Sequence, residues 1–323
     1  MVAPQNDKFF SSVEDLAKLY FERGDVYFDL YRGTGCMYRA TGYNYSNKAV
    51  VNYSTGLELV PKDVYYHYRL GYTYHFMRRL REASEEYHKT LELEPPQPVT
   101  VEEFDLVLKY APRVYVTPKE PVALKDITVV IHPDRPLIEY SLFWEYDIGF
   151  PDDNDPSDHE KVWIEYDSKS GKTIGVYTYF HGAVLSTKAA VENAQRNQQR
   201  ARINVQWGGH ASLPVGWENI PPEKISVKYA HIKKPIQIND MNFRYKGDKK
   251  GIQMSNHPLA KAWPNKFEGS WEEFIDFSKY VDLPKFIKEK RMVIKSRWPN
   301  AVINQYFLAY NFRPKQDWPM DSP

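Results

Sequence analysis

The sequence predicts an α+β protein: α-helical hairpins at the N-terminus, then a mostly antiparallel β-sandwich that carries C-terminal helices. Three observations predict this. Two helical segments before residue 96 repeat each other at a fixed offset. A proline-rich stretch, LEPPQPVTVEE (93–103), then ends the helical pattern. Beyond it, short runs rich in Val, Ile, Tyr and Trp alternate with Gly, Pro, Asn and Asp, the signature of strands and turns. Two domains are expected, 1–98 and 99–323.

The repeat comes first. KAVVNYSTGLELVP (48–61) aligns with EASEEYHKTLELEP (82–95). Ala49 and Ala83, Tyr53 and Tyr87, Leu57 and Leu91, and Pro61 and Pro95 each stand about 34 residues apart, the period of one helix–turn–helix repeat class. The alanines allow close helix approach and the tyrosines fill the space between neighbours. Each proline ends its helix, because it lacks the donor a helix interior needs. HYRLGYTYHF (67–76) places Leu70, Gly71 and Tyr74 ahead of the second copy. The block resembles tetratricopeptide repeats over residues 64–97 and, with Cys36 and Met37 in place of Leu and Gly, over 30–63. Ser12 is a candidate cap for an earlier helix, with Asp15 at its third position. Two repeats bury too little apolar surface to stand alone, so this block is expected to pack on the rest of the chain or on another subunit, as a groove for a protein partner or as a scaffold or homo-oligomer surface.

In the second domain the strand candidates are RVYVTP, ITVVIHP, LIEYSLFWEYD, VWIEYD, TIGVYTYF, RINVQWGGH and ISVKYAHI. A helix is expected over 186–201, capped by Ser186. Ser270 and Glu273 form a capping-box pattern before WEEF. LPKFIKEKRMVIKSRW (283–298) reads as a second helix with Pro284 near its start. NAVINQYFLAYNF (300–312) fits helix or strand, and RPKQDWPMDSP (313–323) reads as coil.

Composition narrows the function. The formal charge is only +1, so no basic excess points to nucleic acid. No run approaches the roughly 20 apolar residues of a membrane span. The N-terminal stretch lacks a charged start followed by an apolar core, and the single cysteine, Cys36, precludes an internal disulfide. A cytoplasmic protein is expected. GxSxG, HExxH, P-loop and dinucleotide glycine patterns are all missing.

What remains is the acidic turn DNDPSDHEKVWIEYD (153–167). Side chains alternate along a strand, so Asp158, Glu160, Val162, Ile164 and Tyr166 share one face. His159, Lys161, Trp163 and Glu165 share the other. The apolar members mark the first face as the core face. Two carboxylates at its open end are costly to bury without a compensating cation, arginine or water. Their side chains start roughly 7 Å apart, a spacing that suits two ligands of one hard cation. His181 ends a strand candidate as HG, His210 follows another as GGH, and Asp147 lies late in a third. A sandwich gathers strand ends at one rim, so these residues are expected to meet. The candidate catalytic set is Asp158, Glu160, His181 and His210. The candidate metal set is Asp158, Glu160, His181 and Asp147, for a divalent cation such as Ca, Mg, Mn or Zn.

The series YAPRVYV, PLIEYSLFWEYD, DHEKVWIEYD, YTYFHG and VQWGGHASLP resembles the β-sandwich family of Vps62-related and NPP1-like proteins over about residues 108–220. That resemblance implies a divalent-cation site at Asp158 and Glu160. His159 stands where the family has Trp, and Asp155 and Ser157 stand where its longer form has histidines. NPP1-like proteins are secreted toxins that engage plant membrane sphingolipids. Without a signal peptide or cysteine pairs, this chain is not expected to share that toxicity.

Three readings stay open. One is an enzyme acting on a small molecule by metal-dependent or acid/base hydrolysis, elimination or cyclisation. The second is a lipid-, glycan- or peptide-binding adaptor, and the third is a structural subunit.

Overall fold

The computed structural model describes residues 12–34, 39–145, 158–221, 270–308 and 314–320. Within them the chain is α+β, with helices first and sheets after. It divides into two compact units, the first ending at Pro95 and the second beginning at Pro96. No helix among the described residues is long and apolar enough to cross a membrane.

The first unit holds α1 (Val13–Thr34), α2 (Arg39–Leu59), α3 (Val64–Phe76) and α4 (Leu80–Leu93). Ser12 accepts the Asp15 backbone N–H at 3.1 Å, and Asp63 caps α3 through the Tyr66 N–H. The paired positions of the sequence are core positions: Ala49, Tyr53, Leu57, Ala83, Tyr87 and Leu91 are all buried. The partner helix of α2 differs from the expected one. A Cβ on Gly71 would stand 2.9 Å from the Tyr87 ring, and a Cβ on Gly24 2.5 Å from the Tyr53 ring. Gly24 in α1, not position 37, therefore gives Tyr53 its room. Gly24-x-x-Tyr27 and Gly71-x-x-Tyr74 are the matching signals. Cys36 lies outside the described residues.

The second unit opens with α5 (Val101–Tyr110), which no sequence pattern above anticipated. Its signal is the capping box Thr100–Glu103, where each side chain satisfies the other's backbone donor. The strands are β1 (Arg113–Val116), β2 (Leu124–Ile131), β3 (Leu137–Trp144), β4 (Asp158–Tyr166), β5 (Thr173–Phe180), β6 (Ala183–Leu185), β7 (Arg202–Val205), β8 (Ser212–Pro214), β9 (Lys279–Val281) and β10 (Val293–Lys295). One sheet runs β8-β7-β1-β9 and the other β10-β2-β3-β4-β5-β6. All neighbours are antiparallel except β1–β7 and β10–β2.

The two sheets share one core: Val114, Val116, Ile203 and Val205 from the first cluster with Val129, Tyr140, Leu142, Val162 and Ile164 from the second. Every residue of β3 is buried, so the six-stranded sheet is covered on both faces. This explains why LIEYSLFW reads as a nearly continuous apolar run rather than an alternating one. On the outer face Trp163 packs with Trp318, and Phe143 with Ile303 and Leu308.

Several boundaries differ from expectation. The helix α6 spans Lys188–Arg196, and Thr187, not Ser186, caps it. WEEF forms α7 (Trp271–Phe274) with the expected capping box. The helix α8 (Leu283–Lys290) stops at Arg291, whose φ of 52° is left-handed, and Val293–Lys295 of the expected helix form β10 instead. NAVINQYF is helical, as α9 (Pro299–Val302) and a π turn over Ile303–Phe307. ISVKYAHI lies outside the described residues.

Candidate functional site

The site assembles where β3 ends and β4 begins. Antiparallel register sets Trp144 opposite Asp158, Phe143 opposite His159 and Leu142 opposite Glu160. His159 turns away from Asp158, as alternation requires, and stacks on Phe143. Asp158 and Glu160 thus enter at the rim of the core face.

His210 comes from the loop between β7 and β8. That loop closes tightly, with the His210 N–H donating to the Gln206 carbonyl and the Gln206 N–H to Ala211. Gly208 takes φ 68° and His210 itself φ 46°. A left-handed φ is uncommon for a residue with a Cβ and marks a position fixed by its surroundings. The surroundings here are specific. The His210 ring stacks on Trp144 at 4.5 Å with a 7° interplanar angle. Its Nδ1 lies 3.0 Å from Asp158 Oδ2 and its Nε2 3.3 Å from Glu120 Oε1. An ionised carboxylate only accepts, so the imidazolium satisfies both partners where neither neutral tautomer does. Burial alone would lower the His210 pKa, but the Glu120 charge and the hydrogen bonds to Asp158 and Glu120 raise it to about 9.

Glu120 lies after β1 and is itself fixed: it accepts the Val122 N–H at 3.1 Å and the Gly208 N–H at 2.8 Å. His210 and Glu120 are sealed from solvent, while Asp158 keeps 10% of its side chain exposed. Asp158 is therefore the outward end of a Glu120–His210–Asp158 chain.

Glu160 has a different cation. Lys315, from the C-terminal tail, donates to Glu160 Oε1 at 2.5 Å and to the His159 carbonyl, with its ammonium 4.9 Å from the Tyr179 ring centre. Burial opposes the Lys315 charge, but Glu160 and Asp158 outweigh it and hold its pKa above the usual value. The compensating cations that the sequence demanded are thus His210 and Lys315.

His181 sits in the two-residue turn between β5 and β6, with φ 43°, followed by Gly182 at φ 89°. Two positive φ values in succession are what the favoured tight hairpin turn requires. Its Nε2 meets Gln206 Oε1 at 2.8 Å, which links it to the His210 loop rather than to Asp158 or Glu160. Asp147 lies outside the described residues. Among those described, no group of three or more His, Cys, Asp or Glu side chains is arranged to hold a metal ion. The described members of the candidate metal set do not converge on one point.

Sequence reasoning missed Glu120, Trp144 and Lys315. Trp144, within the strand candidate LIEYSLFWEYD, forms the floor under His210. Glu120 and Lys315 sit in irregular segments with no periodicity to mark them.

No family model matches the chain, and no curated protein matches it. A solved structure that resembles part of it is Necrosis and Ethylene inducing Protein 2 from the causal agent of cocoa's Witches Broom disease. The two are 12% identical with a TM-score of 0.25, over 37% of this chain and 70% of that one. At that level the likeness assigns neither family nor activity. Fold and site together define an α+β protein with a buried carboxylate–histidine–carboxylate chain at its sheet rim.

Proposed function

We propose that this rim is an acid/base site acting on a small polar molecule, in hydrolysis, elimination or cyclisation. Asp158 is the proton-transferring carboxylate, His210 its cationic partner and Glu120 the group that orients the imidazole. The observation that carries the reading is the His210 ring, locked between two carboxylates on a left-handed backbone. A buried acid behind an imidazole fixes its orientation and charge, as in other proton-transfer chains. Lys315 holds Glu160 and supplies positive charge beside the outward end.

A divalent cation is the finer form of this reading, supported by the paired carboxylates Asp158 and Glu160 and by the likeness of the strand series to Vps62-related and NPP1-like proteins. It requires Lys315 to withdraw from Glu160.

The test is turnover of hydrolysable esters and amides and of dehydratable hydroxy acids by the parent chain and by Asp158→Asn, with elemental analysis of both. Turnover confined to the parent supports the acid/base site. Stoichiometric metal in the parent, lost in Asp158→Ala/Glu160→Ala, supports the cation form. Equal behaviour of parent and variants moves the rim to a structural role.

A second reading concerns the helical unit, as a pair of tetratricopeptide-like hairpins that receives a protein partner in the cytoplasm. Its support is a groove of about 570 Å³ lined by Leu57, His67, Leu70, Glu86, Lys89 and Leu93. It predicts that Lys89→Glu abolishes co-purification of that partner and leaves rim chemistry intact.

A further inference from the structure

The outer face of the six-stranded sheet buries three ionisable groups that the rim does not use. Lys161 on β4 and Glu139 on β3 are wholly sealed from solvent, and Asp317 of the C-terminal tail is 8% exposed. Lys161 Nζ lies 3.1 Å from Glu139 Oε1 and 3.3 Å from Asp317 Oδ1. Each carboxylate is held in place. Ser141 Oγ donates to Glu139 Oε1 at 2.8 Å, and Trp163 Nε1 to Glu139 Oε2 at 3.0 Å. The Asn300 N–H donates to Asp317 Oδ1 at 3.0 Å, and Trp163 Nε1 reaches the Asp317 carbonyl at 2.6 Å. Around them pack Val130, Leu137, Trp163 and Trp318.

An amine, a carboxyl acceptor and a second carboxyl group to move protons are thus fixed together in an apolar enclosure. We propose that Lys161 and Asp317 join in an intramolecular amide, with Glu139 as the proton carrier. The Lys161 ammonium passes a proton to Glu139, and the neutral Nζ attacks Asp317 Cγ. An Nζ–Cγ bond forms and one Cγ–Oδ bond breaks. The departing oxygen takes two protons that began on the ammonium and leaves as water, while the amide keeps the third. The ion pair and the neutral product carry the same net charge, and no oxidant or activated co-reactant enters.

Three physical terms favour the step here. Fixed neighbours react at effective concentrations of about 10⁵ M or more. An enclosure that excludes bulk water also protects the reacting pair and its product from hydrolysis. The product also relieves the cost of two buried charges that a salt bridge recovers only in part. Burial, opposed by the Lys161 charge and aided by that of Asp317, raises the Glu139 carboxyl to about 7, where it both accepts and returns a proton near neutrality. The bond would tie the tail that carries Lys315 to the middle of the sheet. It would close a loop of 156 residues, in a chain whose single cysteine cannot form an internal disulfide.

Mass spectrometry of the denatured full-length chain, after incubation at neutral pH, decides the matter. The expected mass is one water below that of the sequence, and a digest should yield a branched peptide joining the β4 segment to the C-terminal segment. Lys161→Arg and Glu139→Gln should each restore the sequence mass. Asp317→Asn should lose ammonia in place of water. A parent chain at its full sequence mass, or a water loss that survives Lys161→Arg, overturns the proposal. The readout does not depend on the rim, so its outcome leaves the proposed function untouched.

Discussion

Each unit holds an ion cluster, and the two clusters differ. In the helical unit Asp25 Oδ1 accepts from Tyr53 Oη at 2.7 Å and from Arg69 at 2.9 Å, while Oδ2 accepts from Tyr66 at 3.2 Å. One anion meets one cation whose guanidinium never loses its proton. At the sandwich rim Glu120, Asp158 and Glu160 face His210 and Lys315, so carboxylates outnumber cations and one of the cations titrates in an accessible range. The first cluster is balanced and permanent, as a structural brace needs to be. The second is unbalanced and adjustable, as proton transfer requires. Every one of the eight tryptophans lies at position 144 or later. Tryptophan fluorescence therefore follows the second unit, and the contrast can be tested unit by unit.

The largest expected effect is from His210→Ala. It leaves Glu120 and Asp158 facing each other across a buried void, and breaking such an arrangement costs about 3–5 kcal/mol. Arg69→Ala is expected to cost about half as much, because Asp25 keeps two tyrosine donors and is 32% exposed. Urea unfolding should show the first loss in fluorescence and the second in far-ultraviolet circular dichroism. Equal losses would erase the distinction between brace and site.

Next comes pH. The His210 pKa rises from 6.5 to about 9 on folding, so the folded chain binds the extra proton. Its contribution is complete below pH 6.5 and is lost as pH climbs through 9, amounting to about 3 kcal/mol. His132 acts the other way. Burial and the nearby Arg135 hold it down to about 4, so the unfolded chain gains the proton as pH falls from 6.5 toward 4, and stability drops. The fluorescence transition should be most stable near neutrality, and His210→Gln should flatten its alkaline limb. The cost of Arg69→Ala should not change over that limb. An alkaline limb that survives His210→Gln would remove the imidazolium from the account.

A smaller effect tests the helical packing. Gly71→Ala and Gly24→Ala press a methyl group into the Tyr87 and Tyr53 rings, and overpacking of this kind costs about 1–3 kcal/mol. Both losses should appear in circular dichroism alone. If Gly24→Ala proved neutral, α1 would not be the partner that Tyr53 packs against.

These residues also show what the sequence could reveal. The α+β class, the strand candidates within the described residues and the rim position of Asp158, Glu160 and His210 follow from local patterns, because alternation and turn chemistry act over a few residues. A fixed 34-residue offset points to position 37 as the partner of Tyr53, but the first hairpin is longer, and Gly24-x-x-Tyr27 carries the matching signal. Lys290 and Arg291 continue a helical pattern, yet pairing with β2 draws the next residues into β10. Glu120 and Lys315 were not legible at all. Each is brought to the rim by tertiary folding from a coil segment, Lys315 from 155 residues beyond Glu160, and no spacing rule spans that distance.

The smallest effect sharpens where one unit yields to the other. Thr100→Ala removes the capping hydroxyl of α5 and should cost about 1 kcal/mol. The helix α5 buries Val107 and Tyr110 in the sandwich core, and Tyr140 Oη donates to the Val107 carbonyl at 2.7 Å. The loss should therefore shift the fluorescence transition and leave the helical one where it was. A shift of the helical transition instead would join α5 to the repeats. The cooperative boundary would then fall after Tyr110 rather than at the proline-rich stretch that the sequence marks.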